Sequence, residues 1–336
     1  MPLYERPDWI PRRVEAPIDP GRRIVDAHHH LWDRTSSRYL AEELLADAAA
    51  GHNVTHTVFV ECSADYDENA PRELAPVGET RFVVEQARRA ETIGGAQIGA
   101  IVSHADLTLG SQVADVLLAH DAAGAGLFRG VRHGTNWSPH DAIKNGHHDP
   151  RPSQMAEDEF RLGVAMLGQH GFSYDAWLYF DQLSELAALA RAVPETSIVL
   201  NHLGGPLGTG PHAGSGRGEM LGVWRTGIAE VATCDNVVCK VGGIGMEHYY
   251  GMGWYDLPEP PSSETVADWW GDMVHVVIDA FGPDRCLFES NYPVDRQTLP
   301  YTVLWNAFQT IADRYSDREQ DALFFDTAAR VYRIEV

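Results

Sequence analysis

Apolar residues recur along this chain in two alternating patterns. Short β-branched or apolar runs appear at IVDAHHH (24–30), VTHTVFVEC (54–62), IGAIVSHAD (98–106), FRGVRHG (128–134), SYDAWLYF (173–180), SIVLNHLG (197–204), VVCKVGGI (237–244) and CLFESNYP (286–293). Each reads as a strand. Between them lie segments with apolar positions three and four residues apart, such as SRYLAEELLADAAA, TRFVVEQARRAETI, SQVADVLLAHDAA, MAEDEFRLGVAMLGQH and ETVADWWGDMVHVVIDAF, which read as helices with one buried face. Strands alternating with helices predict parallel pairing, and eight such units predict a (β/α)8 TIM barrel of the α/β class. A doubly wound open sheet is the alternative.

Residues 1–22, rich in Pro and Arg, carry no periodicity and predict an extended N-terminal arm, laid on the body or on a neighbouring subunit. Residues 23–336 then form a single barrel domain, since no linker divides them. YTVLWNAFQTIADRY, DREQDALFF and DTAARVYRI predict extra C-terminal helices closing the barrel. The loops at 135–152, 205–218 and 245–262 are long enough to cover a pocket.

Composition narrows the function. With 26 Lys and Arg against 48 Asp and Glu, the net charge is −22, a field that repels phosphate backbones and anionic lipid surfaces. Nucleic acid and membrane are therefore excluded as partners in favour of a small-molecule substrate. If that substrate is a carboxylate, a local cation must reverse the field. Cys62, Cys234, Cys239 and Cys286 are scattered and read as reduced thiols; Cys234 and Cys239 lack the second pair that a zinc ribbon needs. No apolar stretch approaches the roughly 20 residues of a membrane span, and the N-terminus lacks the apolar core of a secretion signal. The expected location is the cytoplasm.

Chemistry concentrates at the strand ends. In Asp26-Ala27-His28-His29-His30, alternation puts Asp26, His28 and His30 on one face and His29 on the other. Two imidazoles two residues apart on an inward face can converge on one cation. His202, before Gly-Gly-Pro at the end of the sixth strand, reaches the same mouth. Glu61 and Lys240 read either as an interior ion pair or as an acid and a base. On the fourth strand, Arg129, Arg132 and His133 offer a fork for a carboxylate or carbonyl, against a plain structural ion pair as the other reading. Trp177 and Tyr179, with Trp137, Tyr249, Tyr250 and Trp254, could line a flat pocket or simply fill the core. On the eighth strand, Glu289 and Asn291 share a face, with Asp295 just beyond. Gly242-Gly243-Ile244-Gly245 lacks dinucleotide-binding spacing, and no Gly-x-Ser-x-Gly elbow is present.

His-x-His after the first strand, His202 before Gly-Gly, and Ser-Asn-Tyr-Pro-Val-Asp on the eighth strand resemble the amidohydrolase superfamily, in its amidohydrolase-2 branch of lactonases and, more distantly, metal-dependent decarboxylases. The resemblance runs from Ile24 to the final helix. It implies one divalent metal, Zn or Mn, on His28, His30 and His202, with a metal-free site as the alternative, because the fifth strand lacks the lysine of binuclear members. It also implies an eighth-strand Asp as the base that activates water. This chain has Asn291 there, and an amide accepts no proton at neutral pH. Asp295, Glu289 and Glu61 are the available substitutes. Arg132, His133, Trp177 and Tyr179 are the expected substrate contacts. The function so implied is metal-dependent hydrolysis of a lactone or related cyclic ester, or an amide. A non-oxidative decarboxylase of an aromatic or unsaturated acid is the alternative, and a non-catalytic binding barrel the third. The arm leaves open a homo-oligomer or a strap on its own barrel.

Overall fold

In the computed structural model, which describes residue 6, residues 8–35 and residues 37–336, eight parallel strands follow one another around one sheet in chain order. They are β1 (Arg23–His29), β2 (Asn53–Val60), β3 (Gln97–Ser103), β4 (Phe128–Arg132), β5 (Ser173–Ala176), β6 (Ile198–Leu200), β7 (Val237–Gly242) and β8 (Cys286–Glu289). The ring nearly closes just past the end of β8, where the His30 amide donates to the Tyr292 carbonyl at 2.7 Å and the Asn291 amide to that of His28 at 2.8 Å. The fold is a (β/α)8 barrel, so the open sheet is set aside.

Every strand stops earlier than its apolar run suggests. The run on β6 predicts extension to residue 204, yet the strand ends at Leu200 and the chain turns through positive φ at His202 and Leu203; Asn291 does the same beyond β8. Side chains at these turns leave the strand alternation and swing toward the barrel mouth. A second correction concerns β1. Its register against β2 shifts between Asp26 and His29, as a bulge does, and the alternation resets there. Asp26 therefore parts from His28 and His30: its carboxylate accepts from Tyr301 Oη at 2.9 Å and from the Ser290 amide at 2.8 Å. In a short antiparallel hairpin, Trp32–Arg34 with Ser37–Tyr39, the second strand occupies residues expected to start the first helix, which instead spans Ala41–Ala48.

Helices between the strands bury one face each. Ser263–Phe281, capped by Ser262 Oγ on the Thr265 amide, turns Val266, Trp270, Val274, Val277 and Phe281 inward. Burial of each such side chain contributes about 1.5–3 kcal/mol. A smaller core joins strand residues Val25, Ala27, Val58, Val60, Ala100, Val102 and Leu287 to Phe325, Ala328, Tyr332 and Ile334 of the C-terminal segment. There Arg129 donates to the Tyr332 carbonyl at 2.9 Å, which ties it to this plug and away from the opposite mouth.

The arm expected over residues 1–22 falls partly outside the described residues, at 1–5 and 7. Its remainder runs first along the 245–262 loop and then, from Ile18, along the C-terminal helices, where Ile18 and Asp19 donate their amides to Asn306 and Gln309. Trp9 Nε1 donates to Leu257 O at 2.8 Å, Arg13 pairs with Glu259 at 2.6 Å, and Glu15 accepts from the Ser263 amide. All four cysteines are free thiols, and no helix among the described residues is long and apolar enough to cross a membrane.

Candidate active site

At the C-terminal mouth of the barrel lies a pocket of about 680 Å³. The strand ends supply its floor through His30, Arg132, Trp177, His202 and Asn291. Its walls come from the 135–152 loop, with Lys144 and His147, and from the 245–262 loop, with His248 and Tyr249. The 205–218 loop does not line it. Gly208 instead donates its amide to Tyr249 O at 2.8 Å and backs the neighbouring loop.

His28 sits at the centre, fully buried. Its Nε2 lies 3.2 Å from His30 Nε2 and 3.3 Å from an Arg132 guanidinium nitrogen, while its Nδ1 lies 2.7 Å from Glu289 Oε2. These contacts conflict. His30 Nδ1 is 2.7 Å from the Val60 carbonyl, so that nitrogen carries the proton and His30 Nε2 is bare. A proton on His28 Nε2 satisfies His30 but opposes Arg132 and leaves a lone pair facing the Glu289 carboxylate. A proton on Nδ1 leaves two lone pairs facing each other across 3.2 Å. Doubly protonated His28 would satisfy His30 and Glu289 while still opposing Arg132, and burial, then the Lys240 ammonium and the neighbouring imidazoles, hold it well below the ordinary histidine range. His28 Nδ1 and Glu289 Oε2 are accordingly buried without an aligned hydrogen bond.

His202 completes the centre. Its Nδ1 lies 2.7 Å from Glu289 Oε1, and its ring stacks on His28 at 4.7 Å and meets Trp177 edge-on at 4.7 Å. Single ligand atoms from His28, His202 and Glu289 all lie within 4.8 Å of one another. Three buried ligand residues, two of which hold an unpartnered atom in His28 Nδ1 and Glu289 Oε2, are a set that a divalent cation would resolve. His30 stands beside this group with its bare Nε2 3.2 Å from His28 Nε2.

The glycines at the end of β7 make this arrangement possible. A Cβ on Gly243, where φ is +66°, would lie 2.3 Å from His202 Nδ1; one on Gly242 would lie 2.3 Å from Glu289 Cγ. The sequence signal was present in Gly242-Gly243-Ile244-Gly245, and its meaning is room for the imidazole and carboxylate rather than for a nucleotide.

The other expected site residues are distributed as follows. Glu61 pairs with Arg132 at 2.7 Å; burial raises its carboxyl, but Arg132, then His147 and His148, outweigh that and hold it well below the usual range. Lys240 meets Asp175 at 2.7 Å, where Tyr332 and Asn201 also bond. It is an interior ion pair beneath the site. His133 accepts from the Leu107 amide and contacts Gln154, and Tyr179 Oη is taken by Asn136 and the Lys144 carbonyl, so both support loops without lining the pocket. Asp295 is sealed, accepting from Asn291 Nδ2 at 2.8 Å and the Gly245 amide at 2.7 Å, and burial pushes its carboxyl well above the usual range. Asn291 thus holds Asp295 in place. Sequence reasoning left Glu289 among the substitutes and did not single out Lys144, His147 or His148, whose loop carries no periodic signal.

A family profile described as Amidohydrolase matches residues 25–334. The chain belongs to the amidohydrolase family. It is a hydrolase by that membership. It is 32% identical to an uncharacterized protein, y4mH, of Sinorhizobium fredii, over 93% of this chain and 98% of the relative. It is 27% identical to an L-fucono-1,5-lactonase of Burkholderia multivorans, over 94% of this chain and 97% of the relative. Crystal structures of an amidohydrolase from Burkholderia multivorans share the fold. One with bound HEPES superposes at a TM-score of 0.71 with 24% identity, covering 93% of this chain and 99% of that one; another, with bound zinc, gives 0.70 with 23% identity and the same coverage.

Proposed function

We propose that this amidohydrolase opens a lactone, with a cyclic ester of a sugar acid as the substrate class. The observation that carries the reading is the buried group of His28, His202 and Glu289, in which His28 Nδ1 and Glu289 Oε2 lack an aligned hydrogen bond and His202 reaches the floor of the pocket. The lactonase relatives supply the substrate class. His28, His202 and Glu289 would hold a divalent cation, of the zinc or manganese type, which when bound polarises a carbonyl and acidifies water.

The chain's own residues divide the remaining work. His30 keeps a bare Nε2 on the pocket side, because its Nδ1 proton is committed to Val60 O. It takes the proton from attacking water and returns it to the ring oxygen as the acyl C–O bond breaks, giving the hydroxy acid. Arg132, fixed by Glu61, presents positive charge to the carbonyl oxygen as it becomes anionic. Trp177 and Tyr249 offer an apolar wall to the ring face.

Titration of released acid over a panel of 1,4- and 1,5-aldonolactones tests this. Wild-type protein is expected to release one acid equivalent per turnover, and His28→Ala to lose at least 100-fold. Carbon dioxide release from aromatic acids with no lactone turnover would overturn the reading in favour of decarboxylation. Ligand binding with no turnover would favour a binding barrel.

A further inference from the structure

A second convergence of donors lies on the other side of Arg132. Glu61, just past β2, gives Oε1 to Arg132 Nε and turns Oε2 toward the 135–152 loop. There His147 Nε2 and His148 Nε2 each lie 3.1 Å from that one oxygen. The two rings lie 4.0 Å apart and are tilted by 47°. His148 is itself fixed, stacking on His104 at 3.5 Å and 6°. Ligand atoms of Glu61, His147 and His148 all lie within 4.8 Å of one another. Donors about 2.1 Å from a tetrahedral ion stand roughly 3.4 Å apart, close to the separation seen here.

We propose that Glu61, His147 and His148 form a second divalent-cation site, of the zinc type, that fastens the 135–152 loop to the end of β2. Two imidazoles and one carboxylate suit a borderline ion better than calcium or magnesium, which prefer all-oxygen shells. Three protein ligands leave a coordination position open, and His147 lines the pocket. The Arg132 guanidinium shares Glu61 with the cation and weakens its hold, so this site exchanges its ion more readily than a closed structural one. Filling it would draw in the segment that carries Lys144 and Gly146, two further pocket residues. The site shares no ligand with the His28 group and stands whether or not that group binds metal.

The test is zinc binding by the full chain after chelator treatment, with zinc chloride as the probe, equilibrium dialysis and elemental analysis as the readout. His147 is half-exposed, so His147→Ala should fold; His148→Phe keeps the stack on His104 while removing the ligand. Both variants are expected to lose one zinc equivalent that His28→Ala retains. Zinc should also slow tryptic cleavage after Lys144 at least tenfold in wild type and not in His147→Ala. Unchanged stoichiometry in both loop variants would overturn the proposal. So would loss of all zinc in His28→Ala with none lost in His147→Ala, an outcome that leaves the lactonase reading intact. Zinc lost only with the loop histidines would support this site and remove the cation from the His28 group.

Discussion

Gly243→Ala isolates the space that the site requires. At φ +66° an alanine pays about 1–2 kcal/mol for the left-handed backbone. The added Cβ would also lie 2.3 Å from His202 Nδ1 and 2.7 Å from Cγ, and ordinary contact begins near 3.4 Å, so the ring must retreat by 3.4 − 2.3 = 1.1 Å. It cannot do so cheaply. His28 and Trp177 pack against it at 4.7 Å each, and its Nδ1 contact to Glu289 is 2.7 Å. A misplacement of about 1 Å at a reacting centre costs on the order of 100-fold, and disturbing the support of a metal ligand costs about 10–100-fold in metal affinity. Gly171→Ala is the control, because φ there is +75° with nothing within 4 Å of the added carbon. Both variants should lose a few degrees of melting temperature. Only Gly243→Ala should lose about 100-fold in lactone kcat/KM, together with weaker zinc binding in dialysis. Equal turnover and zinc affinity in the two variants would refute the assignment of His202 to the centre.

Other consequences are independent of that one. Lys240→Met strands the buried Asp175 carboxylate and should cost about 3–5 kcal/mol in urea unfolding, whereas a loss confined to turnover would make Lys240 catalytic. His120, buried against Thr80 and the His104 carbonyl, is lowered by burial to about 4. Between about pH 6.5 and 4 the unfolded chain takes a proton that the folded chain refuses, so stability falls as pH falls, by up to about 3 kcal/mol at this site. Unfolding curves across that window should be flatter for His120→Gln; an unchanged slope would contradict the buried, neutral imidazole. Asn291→Asp would set a carboxylate 2.8 Å from Asp295 Oδ1, forcing the two to share a proton, so acid titration should show no gain in lactone hydrolysis. A large gain would show that Asp295 can yield its anchoring role.

The barrel was legible because its evidence is periodic: eight apolar runs with helical segments between them leave few topologies. That His28, His30 and His202 come together was legible for a related reason, since polar residues at the ends of apolar strands have a barrel mouth to face. What escaped was whatever depends on contacts across the ring. Asp295 read as a free carboxylate, but its partners come from Asn291 and from Gly245 on the far side of β7, a pairing that no local pattern encodes. Asp26 read as a companion of His28 until the bulge in β1 sent it toward Tyr301. His147 and His148 sit in a loop without periodicity, and only the folded chain shows both aimed at one oxygen of Glu61.

The buried carboxyl groups explain why Glu289 is the one to watch. Asp26, Glu61, Glu79, Asp175, Glu289 and Asp295 are all fully buried. Two of them have a cation within hydrogen-bond reach: Glu61 has Arg132 and Asp175 has Lys240. Three others are pushed toward the neutral form by burial, Asp26 to about 6, Glu79 to about 8 and Asp295 well above the usual range. Among the described residues Glu289 pairs with no Lys or Arg, and it faces His28 and His202, two imidazoles that burial biases against carrying charge. Neutral rings can orient toward a carboxylate but cannot cancel it. A divalent ion at that point would satisfy the stranded lone pairs and turn the local charge from −1 to +1. In a molecule of net charge −22, that reversal is what an anionic oxygen forming over the pocket floor requires.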